Sequence, residues 1–182
     1  GDHADAFLKL YPVRTDADVA LAATEAGRDA GMQQAARIHA QAQAKNGKAP
    51  AFVYMFGRKH PYVADPRIAD QDPKTIGAYH TSDVPYWFQN LDIYNWLRPT
   101  RDWTAWDRTL TGAMSDALIA FAKTGDPSTP TMKWPKYDPA KEQLVEFGDQ
   151  IRVVPMNTKR LDFFKTVPAQ QALPTVPGRP RD

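Results

Sequence analysis

Four histidines, His3, His39, His60 and His80, are the side chains of this sequence that exchange protons near neutral pH. His3 sits beside the N-terminal end, and His39 lies inside an alanine-rich stretch that reads as helix. A solvated or packing role is expected for both. His60, in "RKHPYVADP", follows an apolar run, and strand ends are where α/β folds place their sites. One loop histidine before a proline points to a structural role all the same. His80 has a richer setting in "GAYHTSDVPYWF". Gly77 and Ala78 let the backbone bend or approach closely. Asp83, three residues on, can orient the loop through hydrogen bonds, and Tyr79, Tyr86, Trp87 and Phe88 can wall an apolar pocket. The chemistry would be proton transfer by a general base. On these residues alone, His80 reads equally as that base and as a structural loop histidine. A metal site would need His60 and His80 together with Asp65, Asp70, Asp72 or Asp83. No His-x-x-x-His spacing supports one, so neither a metal nor another cofactor is expected.

The elements that must hold His80 can be read from caps, turns and periodicity. "DAFLKLYP" predicts a short helix stopped at Pro12, and Thr15 or Asp16 can cap a second one. From Asp29 a longer helix is expected, ending at Gly47, with a largely alanine face suited to lying on a sheet. Phe52 to Phe56 form an unbroken apolar run, the pattern of a strand buried on both faces in a parallel sheet. Residues 58 to 102 carry five prolines and no convincing long helix, and so long an irregular run in a compact domain is usually functional. Trp103, Trp106, Leu110, Ala113, Ala117 and Phe121 then recur at helical spacing, with Thr104 and Asp107 as a capping box and Gly125 as the stop. "QLVEFGDQIRVVPM" predicts a hairpin turning near Gly148 and Asp149, and Asn157 can cap a last helix. Residues 1–167 are expected to form the ordered part, and the proline-rich 168–182 a disordered or extended tail.

Composition limits the possible partners. The chain has 182 residues, 42% hydrophobic and 24% charged, with a net charge of +2. That is a globular composition with room for a core. The charge is too small, and the Lys and Arg too scattered, to suggest nucleic acid. No apolar run approaches the roughly 20 residues of a membrane helix, and the first dozen residues lack the basic start and apolar middle of a signal peptide. Without cysteine there is no thiolate nucleophile, disulfide or Cys-ligated zinc.

Four stretches, in order, resemble the C-terminal part of type-B carboxylesterases, the α/β-hydrolase family that includes para-nitrobenzyl esterases and cholinesterases. They are "FLKLYP" leading to "PAFVYMFGRKHP", then "GAYHTSDVPYWFQN", then "FAKTGDPSTPTMKWPKYDP", and finally "RLDFF". The match runs from about Phe7 to Phe164. The resemblance implies an α/β fold, the C-terminal portion of an α/β-hydrolase whose sheet is completed by an N-terminal polypeptide. It implies that His80 is the catalytic histidine of a serine esterase, that Asp83 is a supporting acid and not the triad acid, and that Tyr79 and Trp87 border the substrate pocket. Where many members have Gly, Ala or Glu around these positions, this sequence has Thr81, Ser82 and the shorter Asp83. The family's nucleophile lies in a Gly-x-Ser-x-Gly elbow, and its order is serine, acid, histidine. Neither the elbow nor the glycine-rich oxyanion segment occurs here. The expected partners are therefore a noncovalently bound N-terminal polypeptide of the same enzyme and a small carboxylic ester, with a secreted or periplasmic setting and any leader on that polypeptide. The rival expectation is an esterase-like domain that has lost its nucleophile and serves in binding or adhesion.

Overall fold

The computed structural model describes residues 3–64, 72–73 and 75–167. Its contacts divide the chain into two compact units, Gly1–Gln33 with Asn157–Asp182, and Gln34–Met156. The tail expected over 168–182, and with it Asp65 and Asp70, lie outside the described residues.

The first unit is helical. Helix α1 (Ala4–Leu10) ends at Tyr11, just before Pro12. Helix α2 (Asp16–Arg28) starts as its sequence predicts: Thr15 is the N-cap, and Asp18 closes a capping box with it. The helix expected from Asp29 opens as a π-helical turn over Asp29–Gln33. That turn carries a buried carboxylate. Asp29 accepts hydrogen bonds from the Tyr11 hydroxyl at 2.9 Å and from Arg28 Nε at 2.8 Å. Tyr11, Ala22 and Ala26 form the small core, packed against Phe7 and Phe164. The last helix, named α6 below (Thr158–Thr166), is capped by Asn157, whose Oδ1 accepts from Arg160 N at 3.3 Å. Arg160 of that helix lies 4.4 Å over the Tyr11 ring and pairs with Glu25 at 2.7 Å.

The second unit holds the sheet. Helix α3 (Gln34–Asn46) ends before Gly47. Its alanine face was the expected contact surface, but Ala40 shares burial with Gln34 and Arg37. Arg37 makes a two-pronged pair with Glu142 at 2.8 and 3.0 Å, and Gln41 adds a bond to the same carboxylate at 3.0 Å. A buried charge pair thus anchors this helix, which alanine methyls alone are too short to do.

Strand β1 (Tyr54–Phe56) runs parallel to what becomes the middle strand, with Tyr54 opposite Val145. The short helix α4 is Val84–Trp87, followed by a 3-10 turn over Leu91–Asn95. Helix α5 (Ala105–Thr124) carries the expected Thr104–Asp107 capping box and ends at Gly125, whose φ of 74° is left-handed and suits glycine. Strands β2 (Gln143–Phe147) and β3 (Ile151–Pro155) form the predicted hairpin, and the order across the sheet is β1-β2-β3. Leu110, Met114 and Ala117 of α5 pack with Tyr86, Trp134, Val145 and Phe147 as the core. Phe121, expected on that apolar face, is exposed.

The sequence pattern overstates the burial of β1. The strand is parallel as expected, but regular pairing covers three residues, Tyr54 is 40% exposed, and Met55 and Phe56 are half-buried. Among the described residues β1 pairs on one edge only. Beside it opens an apolar cavity of about 750 Å³, with Phe52, Tyr54, Trp87, Leu118 and Phe121 in its lining. The apolar run that reads as doubly buried is therefore only partly covered by the described residues.

Candidate active site

The irregular segment around His80 is fixed from below by a carboxylate. Asp107, the N3 partner of Thr104 in the α5 capping box, is fully buried. It accepts from Arg58 Nε at 2.7 Å and Nη2 at 3.0 Å, from the Tyr86 hydroxyl at 2.8 Å, and from Thr104 N at 2.9 Å. Burial alone would raise its pKa. The Arg58, Thr104 and Tyr86 hydrogen bonds outweigh that and bring it down to about 2. One ionised group therefore joins the residue just past β1, the start of α5, and the helix that follows His80.

The turn itself runs from Tyr79 to Val84. Ser82 N donates to the Tyr79 carbonyl at 3.0 Å, and Val84 N to the Thr81 carbonyl at 3.1 Å. Thr81 has a φ of 74°, a left-handed conformation that strains a β-branched residue. Such strain persists only where the surroundings over-determine the backbone. Two anchors do so here. The Asp83 carboxylate accepts from the Tyr54 hydroxyl at 2.9 Å and from Trp87 Nε1 at 3.1 Å. Burial, with the Asp83 charge and hydrogen bond, pushes the Tyr54 hydroxyl up to about 12, so it stays protonated and donates. On the other side of the turn, the Ser82 carbonyl is held by His60 Nε2 at 2.8 Å.

His80 itself is exposed, and no described residue hydrogen-bonds its ring. The structure gives Asp83 the loop-orienting bonds that its spacing suggested, directed to β1 and α4 and not to His80. The aromatics proposed as pocket walls divide. Tyr86 is core, with 0% exposure. Tyr79 packs edge-on against His60, with ring centroids 5.4 Å apart. Trp87 and Phe88 line the cavity beside β1, and Phe88 also borders a smaller cleft of about 490 Å³ next to Thr81. His60 is 5% exposed and has both ring nitrogens engaged, by Ser82 and by Arg101. Its ring is thus not available to a metal, and among the described residues no cluster of three His, Cys, Asp or Glu side chains could hold an ion. His60 has the structural role expected of it, and what sequence reasoning missed is its target. Its strand-end position was the available signal, but the bond to Ser82 could not be read.

The sheet with its flanking helices is an α/β architecture, here part of a domain of the α/β-hydrolase type. Residues 10–164 match the model of the carboxylesterase family, and the chain belongs to that family. It is similar to the para-nitrobenzyl esterase of Bacillus subtilis (strain 168), 29% identical over 127 residues, covering 69% of this chain and 24% of that protein. It is also similar to the fumonisin B1 esterase of Sphingopyxis macrogoltabida, 29% identical over 157 residues, covering 83% of this chain and 26% of that protein. Among solved structures it resembles a PNB esterase with a TM-score of 0.54 at 27% identity, covering 68% of this chain and 23% of that one. An esterase from Clostridium hathewayi shares the fold, with a TM-score of 0.54 at 21% identity over 90% of this chain and 29% of that one. The chain spans about a quarter of the length of the curated relatives it matches.

Proposed function

We propose that this chain supplies the general base, His80, of a serine carboxylesterase whose nucleophile, triad acid and oxyanion donors lie on the N-terminal part of the enzyme, outside these residues. The observation that carries this reading is the turn at His80. In a segment matched to the carboxylesterase family, the backbone on the far side of His80 is fixed at Ser82 and Asp83, while the imidazole is left exposed and unengaged by the described residues. His80 takes the proton of the attacking serine, returns it to the leaving alcohol, and then activates water to release the acid. The names of both curated relatives are those of esterases, one for a para-nitrobenzyl ester and one for fumonisin B1, which supports carboxylic esters as the substrate class. The apolar cavity beside β1 supports association with that part, because apolar surface left uncovered among the described residues invites a covering partner.

Produced alone, the chain is expected to aggregate or to unfold without a cooperative transition. Co-produced with the preceding part of a carboxylesterase, it is expected to give a soluble assembly that hydrolyses simple esters and takes a fluorophosphonate label on the accompanying polypeptide. A monodisperse, cooperatively folding chain by itself would overturn the association. A folded assembly that neither labels nor turns over ester would favour the binding or adhesion role.

A further inference from the structure

We propose that His60 is the positioning residue of the His80 turn: its Nε2–H holds the Ser82 carbonyl and so fixes the direction in which His80 leaves the backbone. The inference rests on the reading of His80 as the base. The geometry determines the state of the ring. Arg101 Nε can only donate, and it lies 3.2 Å from His60 Nδ1, so Nδ1 is an acceptor and carries no proton. The proton is then on Nε2, which faces the Ser82 carbonyl, an acceptor only, at 2.8 Å. Both nitrogens are matched in one tautomer. Burial pushes the pKa of His60 down. The Ser82 bond opposes that shift, and the Arg101 charge adds to it. The ring therefore remains a neutral donor.

The ring cannot shift to follow the turn. It is boxed by Tyr79, Tyr86, Tyr94 and Trp103, with centroids 5.1 to 5.9 Å away. The guanidinium behind it is itself fixed, 3.7 Å over the Tyr62 ring. Ser82 is two residues from His80, and strained Thr81 stands between them. Without the Ser82 anchor, Thr81 can relax from its left-handed φ, and relaxation there rotates the peptide that carries His80. A displacement of about 1 Å in a catalytic group costs on the order of 100-fold in rate. Asp83 restrains the turn through its own side chain, bonded to Tyr54 and Trp87, and leaves the Ser82 carbonyl without another anchor among the described residues, so it does not replace this bond.

The test uses His60→Leu and His60→Gln in the assembled enzyme. Leu fills the box without a donor, whereas the Gln amide reaches the carbonyl and donates. For His60→Leu, kcat is expected to fall about 10- to 100-fold with KM within a few-fold, and His60→Gln is expected to recover most of that loss. Amide exchange at Ser82 and Val84, measured alongside, is expected to rise in the Leu variant and return toward normal in Gln. Loss of activity in both variants in step with their melting temperatures would overturn the proposal, as would unchanged exchange at Ser82 and Val84 in His60→Leu. Should the wild-type assembly show no esterase activity, the reading of His80 fails. The exchange measurement then still decides whether His60 holds the turn.

Discussion

His80→Ala in the assembled protein is expected to lower ester turnover by at least about 10⁴-fold, since removing one member of a cooperating triad costs nearly as much as removing all of it. The same substitution is expected to leave the unfolding midpoint almost unchanged. His80 is exposed and no described residue bonds to it, so folding gains little from the side chain. That combination separates a base from a packing histidine, whose loss would act on stability first. Turnover close to that of the parent would remove His80 from the mechanism. Size-exclusion chromatography of the same preparation distinguishes loss of the base from loss of assembly.

The second large effect lies away from the chemistry. Asp107→Ala is expected to destabilise the assembled protein by about 3–5 kcal/mol, the range for breaking a buried charge pair from one side. The substitution leaves the Tyr86 hydroxyl buried without its acceptor and removes the side-chain half of the α5 capping box. It also leaves Arg58 with the Asp149 carboxylate, which is mostly exposed and so contributes little. The midpoint in a denaturant titration measures the loss, and a change below about 1 kcal/mol would show the pair to be no stronger than a surface one. The pH dependence has a definite sign. The folded carboxyl titrates at about 2, below its unfolded value of about 4. Its contribution, about 2 kcal/mol, is therefore fully present above pH of about 4 and is lost as pH falls toward 2. The Ala variant is expected to show a correspondingly flatter acid limb.

The two predictions also mark what the sequence discloses and what it does not. The Thr104–Asp107 box, the Gly125 stop, the Asn157 cap and the β2–β3 turn were legible, because each is a bargain among residues within a few positions of one another. The further partners of Asp107 were not, since Arg58 and Tyr86 reach it from distant parts of the chain. The same holds for Arg37 with Glu142, where an alanine face suggested a different mode of docking. At the site, the residues around His80 stood out by composition and by family likeness. That Asp83 could make hydrogen bonds within its loop was legible, but its bond to distant Tyr54 was not. The apolar run at β1 was misleading in one respect. An unbroken hydrophobic stretch reports what a strand needs covered, and not how much of that cover its neighbours in the fold supply.

The register of β1 on β2 also bears on how the chain acquires its structure. Tyr54 pairs with Val145, so the His80 turn, α4 and the whole of α5 lie inside the loop that this pairing closes. The β2–β3 hairpin, by contrast, closes over a few residues. Local contacts form first, because distant ones must meet a larger entropy of loop closure. The hairpin then serves as the template on which β1 docks late. During synthesis β1 emerges well before its partner strand, and it must wait exposed until β2 has left the ribosome.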